Sequence, residues 1–125
     1  MRKTILGIVA GLVAWIVVVT VAGLILRATW PAYVSAAPSM TFTLSMKLTR
    51  LSIGALATLA AGWVSGAIAR SPAAILAPGA VLLLAFVPQH VMLWDKFPLW
   101  YHATFLVSLV PLTYVGGRIA QPANR

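Results

Sequence analysis

The sequence predicts an all-α integral membrane protein, an antiparallel bundle of four transmembrane helices, and three observations carry that expectation. Of its 125 residues, 62% are hydrophobic and 8% charged, against about 25% charged in an ordinary soluble domain. The apolar residues gather into four runs, over about 5–26, 51–69, 73–93 and 99–117. Each run is close to the ~20 residues that cross a hydrocarbon core of about 30 Å as a helix. The breaks between runs hold charges, Pro and aromatic residues such as Trp30, Pro31, Tyr33, Trp94 and Phe97, a composition that suits headgroup level. The chain therefore reads as one four-span domain over residues 1–125.

Arg2 and Lys3 precede the first run. A basic start before apolar residues also opens a secretory signal, and Val34-Ser35-Ala36 has the small residues of a cleavage site. A signal's apolar core is only about 7–15 residues long, so this longer run is read as a retained span. Gly7 and Gly11 form a GxxxG pair within it. Arg27 closes the span, and Trp30-Pro31-Ala32-Tyr33 follows, with Pro expected to stop the helix.

Residues 40–49 alternate strictly, with Met40, Phe42, Leu44, Met46 and Leu48 apolar and Thr41, Thr43, Ser45, Lys47 and Thr49 between them. Period two is the strand signal. An isolated strand at a bilayer surface would leave its backbone unpaired, and Met40, Leu44, Leu48 and Leu51 also share a helical stripe. The expectation is an interfacial helical stretch, capped by Ser39 after Pro38 and running straight into the second span. Lys47 and Arg50 would snorkel to the headgroups.

The second run, 51–69, is the organising element, because it is charge-free and built largely of small residues. A spacing of four puts Gly54, Thr58, Gly62 and Gly66 on one stripe and Ala57, Ala61, Ser65 and Ala69 on the next, leaving Leu56, Leu59, Trp63 and Ile68 for other directions. Lipid tails are as apolar as the side chains, so helices associate there by close backbone approach, which small-xxx-small stripes permit. Gly54, Thr58, Gly62 and Gly66 are the predicted packing site, facing either Gly7 and Gly11 or a second copy of the chain.

Arg70-Ser71-Pro72 makes a short return turn, and the third run carries Pro78-Gly79 and Pro88, where kinks are expected. The next turn holds Asp95, the single acid. Four spans would place Arg27, Arg50, Trp94, Asp95, Lys96 and Trp100 on one face, the outer-turn cluster. There Asp95 either pins the two outer turns together through Arg27 or Arg50 or stays solvated. The last run contains Pro111 and ends with Arg118 and Arg125.

Two matches suggest a repeated helical hairpin. Residues 63–70 resemble 114–121, and Trp30-Pro31-Ala32-Tyr33 resembles Phe97-Pro98-Leu99-Trp100, with 34–49 as an insertion in the first hairpin. The two halves would be parallel repeats about an axis along the membrane normal. Orientation rests on a small margin: Arg2, Lys3, Arg70, Arg118 and Arg125 on one side, Arg27, Lys47, Arg50 and Lys96 on the other. The basic flank of the first span favours cytoplasmic termini, while so small a bias also fits a dual-topology dimer.

Several functions are excluded or disfavoured by composition. No cysteine is present, which removes disulfides, thiolate catalysis and thiolate-held metal centres. The net charge of +8 comes from cations at span ends with no basic stripe or reader motif, so anionic lipid rather than nucleic acid is the expected partner. One acid cannot supply a paired-carboxylate mechanism, and no Ser-His-Asp spacing or phosphate-cradling Gly loop exists, so no enzyme and no cofactor are expected. His90 and His102 are the candidate cofactor residues, as two axial imidazoles for haem. No acid lies within a span, which argues against an ion-coupled transporter. A small transporter or pore working as a dimer remains the alternative. The expected function is that of a small polytopic protein of a bacterial inner membrane, acting without catalysis by helix packing with itself, with lipid or with a larger membrane partner. The bacterial assignment rests on compactness and an Ala-, Val-, Leu- and Arg-rich composition.

Overall fold

The computed structural model describes residues 2–121, and every regular element among them is helical: α1 (Arg2–Thr29), α2 (Pro31–Ala36), α3 (Leu44–Ile68), α4 (Pro72–Met92), a 3₁₀ turn (Trp94–Lys96) and α5 (Leu99–Ala120). Four of them, α1, α3, α4 and α5, are long and apolar enough to cross a membrane. Arg125, assigned above to one membrane side, lies outside the described residues.

The first helix stops at Thr29, just before Trp30-Pro31, as the Pro predicts, and Pro31 also starts a new one. It opens α2 at the first helical position, where its missing N–H is one the helix would leave unpaired in any case. The turn after α2 places Met40 at φ 56°, a left-handed conformation uncommon for a residue with a Cβ. That bend keeps 41–43 out of any helix, so the stretch before the second span is helical only from Leu44. Thr43, not Ser39, caps α3. Its hydroxyl accepts from the Met46 N–H at 3.3 Å, and the Met46 Sδ accepts from the Thr43 N–H at 3.5 Å, a reciprocal arrangement with sulfur where Glu or Gln is usual. Ser39 instead shares a 3.1 Å hydrogen bond with the Thr41 hydroxyl.

Two neighbours use the two small-residue stripes of α3. Toward α1, a Cβ built on Gly7 would stand 3.1 Å from the Ser65 carbonyl oxygen and one on Gly11 2.7 Å from that of Ala61. The Ser65 hydroxyl donates to the Gly7 carbonyl at 2.6 Å. One turn further, the Trp15 indole N–H donates to the Thr58 hydroxyl at 3.2 Å, which donates to the Gly54 carbonyl at 2.6 Å. Numbers rising along α1 therefore meet numbers falling along α3.

Toward α5 the register is different. Gly62 abuts the Thr113 backbone, a Cβ on Gly66 would stand 2.8 Å from the Gly117 carbonyl oxygen, and Gly54 faces the Phe105 ring. All three pairs have the separation of 51 residues that also joins Arg50 to Tyr101, so numbers along α3 and α5 rise together. Gly54, Gly62 and Gly66 thus meet α5, while Gly7 and Gly11 lie against Ala61, Ser65 and Ala69. Leu59 is half-buried, its carbonyl against Gly116, whereas Leu56 and Trp63 are exposed. The fourth helix closes on α5 where Gly79 faces Leu109, Val110 and Thr113 and Ile75 covers Gly117. Both α4 and α5 continue through Pro78, Pro88 and Pro111.

Candidate functional site

At the end of the bundle where α1 finishes and α5 starts, Tyr33, Phe42, Met46, Phe97 and Tyr101 form one buried cluster. Its geometry follows from α2 and the bend at Met40, which return residues 33 and 42 to the flank of α3. The Phe42 ring stands 5.2 Å from Tyr33 and 6.0 Å from Phe97, and Phe97 stacks on Tyr101 at 4.3 Å. Arg50, one and a half turns into α3, runs into this cluster. Its guanidinium lies 4.7 Å from the Phe42 ring centre and 5.8 Å from that of Phe97, within cation–π range. Nη1 donates to the Tyr33 hydroxyl at 2.8 Å and Nε to the Tyr101 hydroxyl at 3.1 Å.

Among the described residues, no carboxylate shares this environment. Asp95 is the chain's single acid and sits exposed on the 3₁₀ turn beside exposed Lys96, while Arg50 points inward to two phenols. The hydrogen bonds of Arg50 go to the two phenols, and the exposure of Asp95 fits the solvated alternative for the acid. Arg27 is exposed in the last turn of α1. The tryptophans of the predicted cluster divide, with Trp94 lying flat on His102 at 4.7 Å and Trp100 standing edge-on to Tyr101 at 6.2 Å.

Beside Arg50 lies a half-open cavity of about 410 Å³ bordered by α1, α2, α3, α4 and α5. One end carries Arg27, Tyr33, Arg50, Gln89 and Tyr101, and the remainder is walled by Trp15, Val19, Phe86 and Phe105 with Gly23. The volume falls within the roughly 300–1,000 Å³ usual for small-ligand sites. Each phenol oxygen spends a lone pair on Arg50 and keeps its own proton. The Arg50 corner is therefore a set of donors around a cation. Tyr33, Tyr101, Phe86, Gln89 and Phe105 were not singled out by sequence as site residues; the 51-residue register that sets Tyr101 beside Arg50 and Phe105 beside Gly54 is displayed only by the packed structure.

His90 and His102 do come together, Nδ1 to Nδ1 at 2.7 Å, and both are buried. His102 Nε2 lies 3.3 Å from the Trp94 carbonyl oxygen. With Nε2 of His102 donating to that carbonyl, its Nδ1 accepts from His90 Nδ1–H, a tautomer pair fixed by these hydrogen bonds. The arrangement does not fit the haem expectation. A metal–imidazole bond is about 2 Å long, so two axial nitrogens on one iron stand about 4 Å apart with a macrocycle between them. Here the nitrogens bond each other, and Phe105 stacks on His90 at 4.9 Å. Replacing His102 by leucine leaves His90 Nδ1–H and the Trp94 carbonyl without their partner, a loss of about 1–3 kcal/mol. In detergent melts, adding His90→Phe to His102→Leu should cost less than His90→Phe does alone; additive losses would show that the pair is not coupled.

Of the predicted packing site, Gly54 lies on the wall of the cavity beside Arg50 against the Phe105 ring, Thr58 meets the Trp15 indole, and Gly62 and Gly66, further along α3, meet the backbone of α5. Comparison with protein-family models, with curated proteins and with solved structures finds no match to this chain.

Proposed function

We propose that this chain is a four-span, non-catalytic binding protein of a bacterial inner membrane, an antiparallel bundle with cytoplasmic termini. The observation that carries this reading is Arg50, a cation held in the bundle by two phenols and two aromatic faces with no acid beside it, on the wall of a ligand-sized cavity. Membrane residence is supported by the outer face of α1, where Ile5, Leu6, Val9, Val13, Ile16, Val17, Val21 and Leu24 are each more than half exposed. In water that patch would be an aggregation liability; against lipid it costs nothing. The opposed numbering of α1 and α3 and the common numbering of α3 and α5 support alternate helix directions. The constant 51-residue separation, which pairs Gly66 with its repeat counterpart Gly117, supports two parallel hairpins.

Binding rather than catalysis suits the groups present. A guanidinium stays protonated at any working pH and cannot serve as a base, and the two imidazoles are engaged with each other. The glycine stripe of α3 is filled by α5 of the same chain, which favours a single chain as the binding unit. Anionic lipid is the natural partner of a chain carrying +8, and a larger membrane complex would be built on the lipid-facing surface.

The absence of native cysteine makes topology directly readable. Single cysteines at Ser39 and Ala73, both exposed, should label from opposite sides of intact membrane vesicles, with Ala73→Cys on the cytoplasmic side. Labelling of both from one side would end the four-span reading, and labelling of each from both sides would replace fixed orientation by dual topology.

A further inference from the structure

We propose that the Arg50 cavity binds a membrane amphiphile with an oxyanionic head, a phosphate or a carboxylate, and this rests on the membrane-bundle reading above. The head end is defined by donors. Of the five guanidinium N–H groups of Arg50, the phenols take one at Nη1 and one at Nε, and the two phenol protons add to those left over. An oxyanion accepts from several of these at once, and its charge replaces the hydration that Arg50 loses inside the bundle. No acid of the chain does so, because Asp95 is exposed elsewhere. Arg27 on the same wall adds a second cation.

The rest of the cavity specifies a chain rather than a bare anion. Beyond the donors the wall is Trp15, Val19, Phe86 and Phe105, with Trp15 and Phe86 in mutual contact at 5.2 Å. Bare phosphate gains nothing from that surface, whereas an acyl chain leaving the head would cover it. Gly23 is the position that keeps this space open: a Cβ added there meets nothing within 4 Å. All other glycines of the described residues abut a neighbouring helix at that distance.

The test uses the purified full chain in an uncharged detergent, titrated with oleate, oleoyl lysophosphatidate, monoolein and inorganic phosphate, with helix melting as readout. Either anionic amphiphile should raise the melting temperature saturably, and the tighter of the two identifies the head as carboxylate or phosphate. Monoolein should bind at least tenfold more weakly, and inorganic phosphate should give no shift. Monoolein as tight as oleate would overturn the role of charge, and an equal shift with inorganic phosphate would overturn the amphiphile. Gly23→Leu fills the open space and should melt no lower than wild type without ligand while weakening binding at least tenfold. Arg50→Gln should weaken it at least as much, whatever its own melting point. Undiminished binding in Gly23→Leu places the ligand outside the cavity and refutes the proposal. A cooperative melt that none of the anionic ligands shifts would refute it too, yet leave the four-span reading standing, because that is decided by labelling at Ser39→Cys and Ala73→Cys.

Discussion

Gly62→Leu is expected to destabilise the bundle by about 3 kcal/mol, the upper end of the usual cost of overpacking. The reason is the identity of the neighbour. A Cβ at Gly62 runs into the backbone of Thr113, its carbonyl first, and a helix backbone cannot turn aside as a flexible side chain can. Relief must come from moving α3 away from α5, which opens Gly66 from Gly117 and Gly116 from Leu59 in the same motion. Dispersion contacts along the whole crossing then weaken, and lipid tails do not penetrate so narrow a gap. Such a loss is a large share of the roughly 5–15 kcal/mol that holds a domain folded. Gly62→Ala should already show part of the effect, because the first added carbon is the one that clashes. Leu56→Phe, on a position 60% exposed, should leave the detergent melting curve unchanged. A wild-type melt for Gly62→Leu would mean that α3 and α5 do not touch there.

How far the molecule could be read from its residues differs by level. Four long helices follow from the four apolar runs, since few other structures satisfy backbone hydrogen bonding across a hydrocarbon layer. Their ends do not follow, because an apolar run marks hydrocarbon depth, and helices continue past it: α1 extends to Thr29 and α3 begins at Leu44. The α2 helix was hidden by Pro31, a residue that breaks a helix from inside and starts one from its first position. Periodicity puts Gly54, Gly62 and Gly66 on one side of a helix, but the neighbour that occupies that side is a tertiary fact. The same limit hid the site. Arg27 and Arg50 could be placed on one face from topology, whereas Tyr33, Phe42 and Tyr101 have the composition of any interfacial aromatic belt. What sets them apart is contact with Arg50 across 8, 17 and 51 residues. Asp95 is a related case: a single acid among cations invites a pair, and its exposed place on a 3₁₀ turn fits the solvated alternative that the sequence also offers.

The same substitution at two glycines of α1 should have opposite outcomes. Gly11 and Gly23 lie about 18 Å apart along the helix at 1.5 Å per residue, and only Gly11 belongs to the GxxxG pair. At Gly11 a Cβ meets the Ser65 hydroxyl and stands 2.7 Å from the Ala61 carbonyl oxygen, so leucine there lifts α1 from α3. Two hydrogen bonds between these helices go with it, Ser65 to Gly7 and Trp15 to Thr58, each worth about 0.5–1.5 kcal/mol. Together with the overpacking itself, the expected loss for Gly11→Leu is about 3 kcal/mol. At Gly23 the added Cβ meets nothing within 4 Å, the rest of a leucine has the cavity to enter, and the change replaces a residue poorly suited to a helix interior, so it should be neutral or stabilising by up to about 1 kcal/mol. Chemical denaturation of the two variants in one detergent gives the comparison directly. If Gly23→Leu were the more damaging of the two, the open wall of the cavity would be misplaced, and α1 would pack against α3 through a different face from the one that carries Gly7, Gly11 and Trp15.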